Sequence, residues 1–75
     1  MKRGDYVTAT LVDEEDGARQ GLYIHDFGDG SILVVGGLDN YRCLKKSVIV
    51  VPDESLMGET RTWIQRQREH NGMGR

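Results

Sequence analysis

Apolar residues change their period at Pro52, and no other feature of the chain constrains its fold as strongly. Before Pro52 they alternate, or run in short bursts between glycine-rich breaks; after it they recur at helical spacing. Such a chain reads as short strands followed by one helix, and 75 residues make a single domain, 1–75. A chain this short buries only about 60% of the surface its unfolded form exposes. Its core is therefore small, and a deep enzyme cleft would have to be assembled from several copies.

Residues 5–12 (DYVTATLV) place Val7, Ala9 and Leu11 on one face and Tyr6, Thr8, Thr10 and Val12 on the other, a strand pattern rich in β-branched residues. The acidic run 13–17 (DEEDG) is too charged to bury and reads as a loop. A second strand over 19–27 sets Leu22, Ile24 and Asp26 against Tyr23, His25 and Phe27. Gly28-Asp29-Gly30 then supplies a hairpin turn. Residues 31–35 are apolar on both faces, which predicts a central strand with its outer side covered. Residues 36–40 turn the chain into a short fourth strand at 41–44, and Lys45-Lys46-Ser47 is a polar break expected to form one 3₁₀ turn. A fifth strand at 48–51, again apolar on both faces, ends at Pro52, which cannot donate to a ladder.

Beyond Pro52 the spacing predicts an amphipathic α-helix over about 54–70. Leu56, Thr60, Trp63, Ile64 and Gln67 form its thin apolar stripe, bordered by Met57, and Arg61, Gln65, Arg66, Arg68 and Glu69 lie opposite. Asp53 or Ser55 is placed to cap its start, Gly58 weakens the first turn, and Asn71-Gly72 is a stop signal. Residues 71–75 read as a flexible tail.

Five short strands with a one-turn polar break before the last resemble an SH3-like small β-barrel, over residues 4–51. The resemblance rests on Gly4-Asp5-Tyr6-Val7 opening the first strand, the acidic loop, Gly21 within the second strand, the hairpin Asp26 to Val35, and the closing run Leu44 to Val50. Tudor and KOW domains and several tiny bacterial and bacteriophage proteins are similar at this level. The resemblance is to a superfold that hosts many functions. The aromatic cage of Tudor domains, the basic loop of KOW modules and the Val-Gln-Ile-Tyr signature of the type II dihydrofolate reductases are not found in this chain. An OB-like barrel is the second choice of fold, disfavoured because its usual helix between strands three and four has no room in a connection of about five residues.

Candidate chemistry is sparse. His25, Cys43 and His70 are the borderline or soft ligands, and no Cys-x-x-Cys or close His pair groups them, so neither metal nor cofactor is expected. A Cys43–His25 nucleophilic pair is conceivable across strands, but a free cysteine is more often a small buried hydrophobe. The glycine pairs follow strands without opening a helix and make no phosphate loop. Asp13-Glu14-Glu15-Asp16 lacks the spaced oxygen ligands of a calcium loop. The single Cys43 forms no internal disulfide, no apolar run approaches a membrane span, and the N-terminus shows no signal pattern. The expected compartment is the cytoplasm, with no membrane partner.

The net charge of −2 conceals an asymmetry: residues 1–40 carry −5 and residues 41–75 carry +3. The reading that follows is a non-enzymatic protein-binding or adaptor module, of the accessory bacterial or phage kind, acting on a larger complex and able to form a homodimer. Its binding residues are expected among the aromatics Tyr23, Phe27, Tyr41 and Trp63. The alternative is a nucleic-acid-binding small barrel that uses Arg42, Lys45, Lys46, Arg61, Arg66 and Arg68 on phosphates. Trp63 either docks on the chain's own sheet or anchors a partner.

Overall fold

The structure, a computed structural model, describes residues 1–71, the side chains of His70 and Asn71 excluded. The side chain of the ligand candidate His70, the Gly72 half of the expected stop and residues 72–75 of the expected tail lie outside the described residues, while Asn71, expected in the tail, is the last residue of the helix. The chain is mainly β with one C-terminal helix: β1 (Tyr6–Thr10), β2 (Ala18–Asp26), β3 (Ser31–Gly36), β4 (Asp39–Leu44), β5 (Ile49–Val50) and α1 (Gly58–Asn71). The strands form one antiparallel sheet in the order β4-β3-β2-β1-β5. The expected 3₁₀ turn forms at Lys45–Ser47, and a second follows at Asp53–Ser55.

Alternation builds the inner face. Val7 and Ala9 of β1, Ile32 and Val34 of β3 and Cys43 of β4 are all fully buried and pack as one cluster, with Leu11, Tyr23, Tyr41 and Val48 against it. Cross-strand partners share a face. The pairs Tyr23–Val34, Val34–Tyr41 and Ile32–Cys43 therefore point to this core. The third strand is central, as its two apolar faces predict, lying between β2 and β4.

In β2 the expected alternation breaks. Tyr23 pairs with Val34 but His25 pairs with Leu33, so Ile24 is the extra residue of a β-bulge. Asp26, opposite Ile32, thereby joins the core-side face with Tyr23, while Leu22 and His25 face the other way. The bulge corrects the reading that grouped Leu22, Ile24 and Asp26. Just before it the strands approach closely: a Cβ on Gly21 would lie 2.3 Å from the Val35 carbonyl oxygen, and one on Gly36 would lie 2.5 Å from that of Gln20.

The sheet is open, not a closed barrel. β4 and β5 are its two edges. Closure through a β4–β5 ladder fails because β5 contributes only two residues between two 3₁₀ turns. The chain leaving β1 does reach β4, through a single Leu11–Cys43 bridge and a Val12 N–H that donates to the Arg42 carbonyl at 3.1 Å.

The helix begins at Gly58, four residues later than its periodicity predicts. Residues 53–55 turn more tightly, with Leu56 N–H donating to the Asp53 carbonyl, and Leu56 then adopts extended backbone that interrupts the helical path. Of the stripe, Ile64 is buried, Leu56 and Trp63 are half-buried, and the border residue Met57 is exposed. Trp63 meets Tyr6 edge-on with ring centroids 6.5 Å apart. Arg68 Nε donates to the Gly4 carbonyl at 2.8 Å, tying the far end of the helix to the start of the chain. Leu22, which pairs with Tyr6 and shares its face, is buried as well, so this second apolar layer joins the helix to the outer side of the sheet.

Candidate functional site

The four aromatics expected to bind a partner do not share one surface. Tyr23 and Tyr41 are half-buried against the inner core, and the Arg19 guanidinium lies 5.6 Å over the Tyr41 ring. Trp63 is half-buried on the helix side of the sheet. Only Phe27 is exposed, next to the β2–β3 turn.

Around that turn a polar cluster forms. The Asp29 carboxylate accepts from the Ser31 N–H and hydroxyl, and its other oxygen meets the Arg42 guanidinium at 2.7 Å. Arg42 Nε also donates to the Ser31 hydroxyl, and its guanidinium stacks 4.6 Å above the Phe27 ring, against which His25 packs edge-on. Hydrogen bonds from Ser31, reinforced by Arg42, hold the Asp29 carboxyl below its ordinary pKa. Beside it, Lys45 pairs with Asp26 at 2.6 Å, which raises the ammonium and lowers the carboxyl.

Two of the cations expected to meet phosphate thus already hold carboxylates. Two more are engaged by backbone: Arg61 donates to the Asp53 carbonyl, and Arg68 to that of Gly4 while lying 3.7 Å from the Asp53 carboxylate. Asp53 therefore serves these arginines rather than capping a helix. Lys46 and Arg66 are exposed and make no ion pair among the described residues.

Cys43 and His25 do not meet. The row His25–Leu33–Arg42 runs along one face of the sheet, and Cys43, next to Arg42, points to the other. Burial pushes the Cys43 thiol up. Among the described residues no three His, Cys, Asp or Glu side chains gather as a metal site, and no helix is long and apolar enough to cross a membrane.

The surface that sequence reasoning missed is the β5 edge. Read as apolar on both faces, 48–51 is not central, and only its ends, Val48 and Val51, are half-buried: Ile49 is 67% exposed and Val50 45%. Tyr6 and Val51 form a hydrogen-bonded pair, with Val51 N–H donating to the Tyr6 carbonyl at 2.8 Å. In an antiparallel ladder hydrogen-bonded and non-hydrogen-bonded pairs alternate. The Val7–Val50 pair is therefore non-hydrogen-bonded, and the Val50 N–H and C=O face away from the sheet. The opposite edge differs, because Leu11 and Val12 already occupy part of β4. One signal for the open edge was present in the sequence: Pro52 directly behind the run marks an edge strand.

A second lay in the flanking charge. Lys45-Lys46 precede the apolar run and Asp53-Glu54 follow it. Comparison of the chain with protein-family models, curated proteins and solved structures finds no match.

Proposed function

We propose that the protein is a small non-enzymatic protein-binding module, an adaptor of the accessory bacterial or phage kind, that adds to another polypeptide through the edge of β5. The observation that carries this reading is the open edge itself. Two apolar residues stand exposed there on a strand whose outward backbone groups have no ladder partner among the described residues. Such an edge is a template for strand addition, in which main-chain hydrogen bonds supply affinity and alternate side chains supply specificity. An SH3-like relationship belongs to the same proposal. It is supported by β1 standing between β2 and β5, by the β2-β3-β4 meander and by the single 3₁₀ turn before β5. The nucleic-acid alternative draws less support, since Arg42, Lys45, Arg61 and Arg68 direct donors into the chain.

The test is a photo-crosslinking amino acid in place of Ile49, irradiated in the cells that make the protein. A covalent adduct with another polypeptide is expected. It should vanish when Val50→Pro is added, because that substitution removes the outward N–H while breaking no bond to β1. An adduct unaffected by V50P, or no adduct at all, overturns the reading.

A further inference from the structure

The segment from Lys45 to Glu54 has a charge pattern that reverses about its own centre: two cations, an apolar stretch ending in Pro52, two anions. Antiparallel pairing of two identical strands runs one copy against the reverse of the other, so a segment of this kind is complementary to itself. We infer that the occupant of the β5 edge is β5 of a second copy of this chain, paired antiparallel about a two-fold axis at Val50. The inference rests on the edge-binding reading above and names its partner.

Backbone geometry selects the register. Val50 presents both its N–H and its C=O outward. A two-fold axis beside it lets the two copies exchange both hydrogen bonds, the closely matched pair of an antiparallel ladder. Lys46 and Glu54 each lie four residues from Val50, on opposite sides. Both lie in the 3₁₀ turns that flank β5, beyond the ladder itself, so the two-fold brings the turn that carries Lys46 in each copy to the end of the contact where the other carries Glu54. These are also the available charges at the two ends: both are exposed and neither forms an ion pair among the described residues, whereas Lys45 is held by Asp26 and Asp53 approaches Arg68. The exposed Ile49 side chains, on the face of Thr8, and the Val50 side chains, on the face of Val7, would gain neighbours on the two sides of the joined sheet. Because the same edge is used by both partners, association through it closes at two copies. The contact is short, so the dimer is concentration-dependent rather than obligate.

Sedimentation velocity of the full chain from micromolar to millimolar concentration tests this. The wild type is expected to move from 8.5 kDa toward twice that mass as concentration rises. Lys46→Glu and Glu54→Lys each place like charges across the axis twice, and each should weaken the dimer by roughly tenfold or more. An equimolar mixture of K46E with E54K restores opposite charges at both contacts and should associate as the wild type does, as should the K46E/E54K double variant by itself. These two restorations separate loss of the interface from loss of the fold. A wild type that stays at 8.5 kDa at every concentration overturns the inference, as does a mixture no stronger than its separate components. If the wild type is monomeric while Ile49 still crosslinks to a different polypeptide, the second copy is overturned and the binding edge stands. If Ile49 crosslinks to nothing, the edge fails with it.

Discussion

Asp29 shows how much one side chain can organise in a short turn. Its carboxylate gathers the Ser31 backbone and hydroxyl and the Arg42 guanidinium, and Arg42 in turn lies over Phe27. Since the folded state holds the Asp29 carboxyl below its ordinary pKa, its contribution to stability is present above that value and disappears as pH falls through the lowered one. Thermal unfolding followed by circular dichroism should therefore show a fall in Tm on acidification below the ordinary carboxylate range, and the fall should be smaller in Asp29→Asn. Gly21 makes a different demand. A methyl group there meets the Val35 carbonyl, which is backbone and does not step aside. Gly21→Ala should cost at least about 1–3 kcal/mol in chemical denaturation. The sequence marks Gly28 and Gly30 as turn glycines from their surroundings, and both do adopt positive φ. Nothing local to Gly21 announces the close approach of β3, because that contact is made by a residue fourteen positions away.

Elements were legible where one face meets the core and obscure where the register changes. Val7 and Ala9 alternate with Tyr6 and Thr8 as the pattern of β1 requires, and both are buried. The bulge at Ile24 left no trace in the alternation of β2, since an apolar residue suits either face there. Helical periodicity placed Ile64 and Trp63 on the docking stripe correctly. It extended that helix too far toward Pro52, because Leu56 keeps the helical period while its backbone is extended. The helix is short, and few of its side chains reach the sheet, so its attachment depends on few contacts. Ile64→Ala should destabilise the protein by about 2–5 kcal/mol, measured by urea unfolding. A chain ending at Asp53 should be destabilised at least as much, since it also loses the Tyr6–Trp63 contact and the Arg68 bond to Gly4. Equal stability of the shortened and full chains would mean that the helix is not part of the folded core.

For the whole molecule, the charge of −2 matters less than its arrangement. Much of the basic half is spent within the fold, on Asp29, Asp26 and the carbonyls of Asp53 and Gly4, while Lys46, beside the open strand, makes no ion pair among the described residues. A division of the chain into acidic and basic halves points toward phosphates, whereas the edge proposal draws on the ten-residue segment around Val50. Its two apolar faces predict burial, yet the same composition suits an edge that is covered only in a complex. The most direct measurement of that edge is amide hydrogen exchange at Val50 and Val51 as a function of protein concentration. The account predicts that Val51, bonded to the Tyr6 carbonyl, is protected at every concentration, and that Val50 exchanges freely in dilute solution and slows as the copies pair. A Val50 amide that stays unprotected at millimolar concentration, or one already protected in the dilute monomer, would contradict it.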